Sequence, residues 1–321
     1  MTRPSAGGLV RALVAVGLTL VVLWRSDPRA VAAAAAGADV RWLGLAVALV
    51  VLDRGLMAYR WLVLLSPLPP AARPAFGAVM RVFFVSTFVG TFLPASVGGD
   101  AVRAVALARL GVPTAVSVAS VAMDRVLGVL SLLLMAAGGL FLVQRLAGNP
   151  AVQVALAVTT LGCAGVAWLV FSEQADRLAG RLLDRLSSAR AARAGQALVD
   201  AFQRYARHHG ALANVLAGSL GVQVLRVVQA YCLGRALGIT LGPATYFAFI
   251  PLILLVMLLP VTINGLGTSQ AAFVWSFGQA GVPAPVAFTL SVLFVALGIV
   301  GNLPGGMLYA WRGLGAPPER T

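Results

Sequence analysis

At 321 residues, with 60% hydrophobic and only 11% charged side chains and a mean hydropathy of +0.92, the chain lacks the polar surface of a water-soluble domain, which carries roughly 25% charged residues. The net charge of +14 comes from arginine alone and falls largely in loops and at span ends. There it reads as an orientation signal and as contact with anionic headgroups, not as a nucleic-acid footprint. Ten-residue strands of alternating polarity are absent, so the chain is expected to be an all-α polytopic membrane protein.

The apolar runs, in chain order, are 7–24, 40–65, 76–94, 115–143, 150–171, 211–237, 244–262 and 284–311, eight hydrophobic segments in all. Two shorter semi-apolar pieces, 101–110 and 268–280, follow the third and seventh. The first run, preceded by Arg3 and Arg11 and followed by the alanines of Val31–Ala38, has some features of a cleavable secretory signal. Its length and the intervening Arg25–Arg29 favour a retained first helix. The one long polar segment, Ser172–Gly210, reads as an amphipathic helical loop, with Leu178, Leu182, Leu183 and Leu186 at helical spacing between arginines. The domain reading is a single membrane domain over 1–321. Its first half is 1–171 with a hairpin at 76–110, followed by a polar cytoplasmic loop at 172–210 and a second half, 211–321, with a hairpin at 244–280.

Arginine placement selects that topology. If all eight runs crossed fully from a cytoplasmic N-terminus, the loop carrying Arg177, Arg181, Arg185, Arg190, Arg193, Arg204 and Arg207 would lie outside, against the positive-inside rule. If 76–110 and 244–280 are instead re-entrant or broken hairpins entering from opposite faces, about six full transmembrane helices remain. That loop and both termini then become cytoplasmic, and only Arg25, Arg29, Arg41, Arg145 and Arg235 fall outside. The expected location is the cell (inner) membrane.

The two hairpins carry matching sequence: LPASVGGDAVR from Leu93 to Arg103 and LPVTINGLGTS from Leu259 to Ser269. Ser96 aligns with Thr262, Gly98 with Asn264 and Gly99 with Gly265, and Gly267 precedes the second restart. Pro94 and Pro260 each remove a backbone donor, and the glycines permit a sharp turn. Irregular backbone at membrane depth is tolerated only where it is buried in protein or lines a wet cavity. A short helix is expected to restart at about Asp100 and about Thr268, with unpaired N–H groups at the positive end of its dipole. Two matched copies suggest an inverted-topology repeat, and the meeting of two such helix ends suits an anion such as a lipid phosphate. The plainer alternative is a pair of kinks in packed helices.

Ionisable residues at span depth cost a few kcal/mol on insertion scales and need a partner or a function. Asp53, Arg54 and Arg60 lie in the second run, Asp124 and Arg125 about ten residues into the fourth, and Arg226 mid-way along the sixth. Arg81, Asp100 and Arg103 flank the first turn. Adjacent helical residues diverge by about 100°, so Asp124 and Arg125 are expected to reach different helices: Asp124 to Arg103 or Arg81, and Arg226 to Asp100. Two readings stay open, interhelical ion pairs that hold the bundle, or a polar cavity whose surplus arginine attracts an anionic headgroup.

No P-loop, HExxH, GxSxG or aspartate-rich magnesium motif occurs. His208 and His209 have no ligand set around them, Cys163 and Cys232 read as buried inert thiols, and no metal or cofactor is expected. Gly234-xxx-Gly238 and Gly301-xxx-Gly305 permit close helix packing.

The stretch Arg81-Val-Phe-Phe, then LPASVGGDAVRAVAL, then Val121-Ala-Met-Asp-Arg-Val-Leu-Gly128, with LPVTINGLGTSQAAF in the second half, resembles the transmembrane-domain family of lysylphosphatidylglycerol synthases. The resemblance implies a flippase-like domain moving an anionic, aminoacylated or isoprenoid lipid between leaflets of a bacterial inner membrane. It maps the family's motif residues onto Asp100, Arg103, Asp124 and Arg125. The Arg-Glu that the family usually carries after the Gly-x-Gly of the second motif is here Ser269 and Gln270. The family's soluble aminoacyl-transferring domain is not expected, since the chain stops just after its last span. The expected partners are lipid headgroups and a separately encoded lipid-modifying enzyme, with no nucleic acid. The alternatives are a membrane enzyme on lipid-linked sugars or phosphates, for which only Asp100 and Asp124 offer acid–base chemistry, and an accessory scaffold.

Overall fold

The computed structural model describes residues 28–69, 72–92, 98–142, 189–258 and 267–312, with Trp24 and scattered positions between 153 and 168. The described residues form helices α1 (Pro28–Ala36), α2 (Val40–Leu64), α3 (Phe76–Phe92), α4 (Gly98–Arg109), α5 (Thr114–Leu142), α6 (Ala189–Ala206), α7 (His209–Ala236), α8 (Pro243–Leu258), α9 (Thr268–Gln279) and α10 (Ala284–Arg312). α2, α5, α7 and α10 are long and apolar enough to cross a membrane, and α3 and α8 are shorter apolar helices. The first apolar run, most of the run at 150–171 and both turn sequences, 93–97 and 259–266, lie outside the described residues.

Two halves share one order of helices. α2, α3, α4 and α5 have 25, 17, 12 and 29 residues, and α7, α8, α9 and α10 have 28, 16, 12 and 29. α4 restarts two residues before the expected Asp100, and α9 at Thr268 as expected. A second matching sequence closes each short helix: Gly111-Val112-Pro113 after α4 and Gly281-Val282-Pro283 after α9. Both glycines have positive φ, 92° and 83°. Both valines are buried, and each proline stands just ahead of the next helix, where a missing N–H costs nothing. After α9 the Val282 N–H donates back to the Phe277 carbonyl at 3.1 Å, the six-to-one bond of a glycine-closed helix end.

The halves pack reciprocally. α3 lies on α10, and α8 lies on α5, while α2 and α7 lie against each other. The α2–α7 pair is antiparallel: Asp39 donates its N–H to the Ala236 carbonyl at 2.9 Å, Gln229 reaches the Leu49 carbonyl, Arg226 faces Asp53 and Asn214 meets Tyr59. Two glycines make the cross-half contacts possible. A Cβ on Gly139 of α5 would overlap the Phe247 carbonyl of α8, and one on Gly305 of α10 would overlap the Phe84 carbonyl of α3. Gly301 lets α10 approach Val50 and Arg54 of α2. Gly238 instead lies beyond the end of α7, where its φ of 76° closes the helix, so the expected Gly234–Gly238 packing face does not form.

Two hydrophobic cores result. One gathers Tyr246, Ile250, Ile253, Phe273, Phe277 and Leu290 around α8, α9 and α10. The other gathers Trp61, Leu64, Phe83, Leu107, Met123 and Leu127 around α3, α4 and the first half of α5. α6 covers the second core with Leu198, Ala201 and Tyr205, a stripe at helical spacing that accounts for its place in the polar segment. α2 and α7 run through both cores, and their charged residues fall between them.

Tyr246 gives a test of this packing. It is fully buried, its hydroxyl has no hydrogen-bond partner, and Gly234 is the residue that leaves it room. An unpaired buried hydroxyl costs roughly 1–3 kcal/mol. Tyr246→Phe is therefore expected to leave thermal stability in detergent unchanged or raised, whereas Gly234→Ala should lower it.

Candidate functional site

Between the two cores lies a cavity of about 420 Å³, walled by α2, α3, α4, α5, α7, α8 and α10. Its wall carries Arg54, Arg60, Arg103, Arg125 and Arg226 against Asp53, Asp100 and Asp124. Five guanidinium groups facing three carboxylates leave a surplus of two positive charges. At 1.5 Å per residue Asp53 and Asp124 sit roughly 20 and 15 Å along their helices, near mid-membrane if those helices cross it.

The first centre is Asp124, a buried carboxylate with two buried arginine partners. Its carboxylate accepts from Arg60 at 2.8 Å and from Arg103 at 3.2 Å, and Arg60 also donates to its carbonyl at 3.3 Å. Arg103 is held on every side: its guanidinium carbon lies 5.2 Å from the Trp61 ring centre and 4.8 Å from that of Phe83, distances at which a cation is attracted to an aromatic face. Its Nε reaches the Ser86 hydroxyl at 3.5 Å. α4 approaches α3 closely enough for this because Gly90 and Gly99 face each other, with a Cβ on Gly90 only 2.9 Å from the Gly99 Cα.

The second centre is Asp53, 3.3 Å from Arg54 and 3.6 Å from Arg226. Arg54 also donates to the Gly298 carbonyl of α10 at 3.2 Å. The third is a two-point pair in which Arg125 donates to Asp100 at 2.6 and 3.1 Å. The Arg125 side chain is 52% exposed, so this pair stands at the rim. The expected Asp124–Arg103 pair is present and Asp124 and Arg125 do go to different partners. Arg226, however, meets Asp53 rather than Asp100, because α7 runs antiparallel to α2 and brings Arg226 level with that carboxylate.

Of the sequence-derived candidates, Gly99, Asp100, Arg103, Asp124, Arg125 and Arg226 line the cavity, while Arg81, Gly98 and Gly267 are not among its lining residues. Ser96, Thr262, Asn264 and Gly265 lie outside the described residues. α9 is self-capped at its start: Gln270 accepts the Gly267 N–H at 2.6 Å and the Ser269 hydroxyl at 2.9 Å. Its helix end is thus closed by its own side chain, whereas α4 carries Asp100 in its first turn, turned to Arg125.

Gln223, Gln229 and Asn302 also line the cavity and were not singled out from sequence. Gln223, Arg226 and Gln229 are three residues apart, one polar stripe on an otherwise apolar helix, which is a legible signal. Buried atoms without a hydrogen-bond partner concentrate in the cavity wall: Asp53 Oδ1, Arg54 Nε, Arg60 Nε, Gln223 Oε1 and Asn302 Oδ1. Each such group carries a penalty of about 1–3 kcal/mol unless a ligand or water relieves it. Among the described residues no cluster of metal-ligating side chains occurs. The arrangement is suited to non-covalent binding of an anion in a sheltered, positively biased chamber.

The profile of the lysylphosphatidylglycerol synthase TM region matches residues 8–305, nearly the whole chain. The chain belongs to that family. No curated protein and no solved structure matches it. As a member of the lysylphosphatidylglycerol synthase TM family, it is a membrane protein with several apolar helical spans, and its polar chamber lies among them.

Proposed function

We propose that the protein is a lipid translocator of the flippase type, moving an anionic lipid between leaflets of a bacterial inner membrane. The observation that carries this reading is the chamber itself, since two uncompensated positive charges between two apolar cores are costly unless an anion occupies the space. Family membership supports it.

The reciprocal packing supports an inverted repeat. Exchange of contacts between α3–α10 and α8–α5 is the pattern of a two-fold relation. Antiparallel α2 and α7, the corresponding helices of the two halves, place that axis across the helices and so in the membrane plane if they span it. Rocking of one core against the other about the chamber would then open it to alternate leaflets. Cytoplasmic termini belong to this reading. The reading assigns no catalytic step: Asp100 and Asp124, the two carboxylates the sequence offers for acid–base work, are both engaged in ion pairs.

Proteoliposomes holding the protein are expected to exchange a fluorescent anionic lipid between leaflets faster than protein-free vesicles, as read by quenching of the outer leaflet. Arg226→Met removes one surplus charge from the wall and should slow exchange about tenfold, the equivalent of one charge-assisted hydrogen bond. Exchange no faster than in empty vesicles would overturn the proposal.

A further inference from the structure

The chamber does more than attract negative charge; its wall also fixes what the rest of the ligand must offer. Gln223 of α7 and Asn302 of α10 each place an amide in that wall, and each amide has one nitrogen bond and an oxygen with no partner. The orientation of both amides follows from their neighbours. Ser131 gives its hydroxyl proton to the Gly128 carbonyl at 2.8 Å, so its oxygen is left to accept, and Gln223 must turn its NH2 toward it. Thr91 likewise donates to the Thr87 carbonyl at 3.0 Å and accepts from the Asn302 NH2 at 2.8 Å. A reversed amide would set oxygen against oxygen at both places. The two carbonyl ends are therefore held as acceptors, and Gln223 is 4% exposed.

Two neutral acceptors alongside two surplus guanidinium charges describe a complementary ligand. Its anionic part answers the arginines, including the unpartnered Arg54 Nε and Arg60 Nε. Its donors must answer the amide oxygens without adding positive charge, since an ammonium would be repelled by the surplus. Hydroxyl groups meet that condition. We infer that the chamber selects a phosphate ester of a polyol, a headgroup carrying at least one negative charge and free hydroxyl donors, over phosphate esters that lack hydroxyls or carry an ammonium. This rests on the reading of the chamber as a lipid headgroup site, and it narrows that site's substrate class.

The test is competition for the purified full chain, read by native mass spectrometry of retained lipid. Phosphatidylglycerol and phosphatidylmethanol with identical acyl chains share a phosphodiester and a single negative charge and differ in two hydroxyls and the two carbons that bear them. Two hydrogen bonds of ordinary strength correspond to roughly tenfold to thirtyfold preference for phosphatidylglycerol. Phosphatidylethanolamine should compete less well than either. The Gln223→Leu and Asn302→Leu variants should each lose a fewfold of the preference while retaining phosphatidylmethanol as the parent does. A polyprenyl phosphohexose displacing phosphatidylglycerol would support the inference and assign an isoprenoid source; the reverse order would support it and assign a glycerophospholipid. Equal retention of phosphatidylglycerol and phosphatidylmethanol by the unaltered protein, or preference for phosphatidylethanolamine, would overturn it. The comparison is one of binding, so a protein that shows the preference yet exchanges no lipid would sink the translocator reading and leave this one standing.

Discussion

Asp124→Asn is expected to destabilise the detergent-solubilised protein by about 3–5 kcal/mol, the cost of leaving buried charges without their partner. Asp124 is the one carboxylate that answers both Arg60 and Arg103, and all three are nearly inaccessible. An amide can still accept a hydrogen bond, but it cannot offset two guanidinium charges. The measurement is a melting curve in detergent, with lipid exchange followed in parallel. A second variant separates architecture from activity. Replacing the whole cluster, as Arg60→Met, Arg103→Met and Asp124→Leu together, removes the charges and their desolvation penalty at once, and such exchanges are often neutral or stabilising by 1–4 kcal/mol. The triple variant should thus recover most of the lost stability yet exchange no anionic lipid. If it exchanged lipid at the rate of the unaltered protein, the cluster would be a structural brace and nothing more.

Gly138 and Gly139 are adjacent in α5 and are expected to respond to alanine with opposite sign. A Cβ at Gly138 meets nothing within 4 Å, so Gly138→Ala should stabilise by up to about 1 kcal/mol through backbone entropy alone. A Cβ at Gly139 overlaps the Phe247 carbonyl, which is backbone and cannot rotate away. Overpacking of that kind costs roughly 1–3 kcal/mol, more than the helix gain, so Gly139→Ala should lower the melting temperature. Gly305→Ala, against the Phe84 carbonyl, should behave like Gly139→Ala because it holds the reciprocal seam. Both substitutions also wedge apart surfaces across which the halves meet, and the double variant should retard lipid exchange beyond its loss of stability. Melting curves of the three single variants check the sign; equal effects at Gly138 and Gly139 would contradict the helix crossing.

The legible part of this fold was what hydrophobicity and helix punctuation encode. Residues 40–65, 115–143, 211–237 and 284–311 stand out as apolar runs and become α2, α5, α7 and α10. Pro94, Pro260 and the glycines after them mark where α3 and α8 must end. Gly-Val-Pro at 111 and 281 was equally present in the sequence, yet a tripeptide acquires meaning only when two twelve-residue helices are seen to end on it. Charge pairing was half legible. Asp124 and Arg103 are 21 positions apart across one turn, a separation a hairpin closes. Arg226 and Asp53 are joined by the antiparallel set of α2 and α7, which no local pattern specifies. The amides were the least visible, because Gln223 and Asn302 matter through the hydroxyls beside them, and a lone amide in an apolar run looks like incidental polarity.

Two of the three charged centres, those of Asp124 and Asp53, also differ in when they can form during synthesis. Arg60, Arg103 and Asp124 all lie within α2 to α5, so that cluster can pair once α5 has left the ribosome, with one positive charge left over. Asp53 has Arg54 beside it from the start, and its second partner Arg226 follows about a hundred residues after Asp124, or roughly 5–20 s later at ordinary elongation rates. Throughout that interval α2 holds Asp53 beside Arg54 alone, in a segment that must stay in or near the bilayer. Arg226 is thus the last of the wall's charges to be made, and the chamber reaches its full positive surplus only when α7 packs against α2.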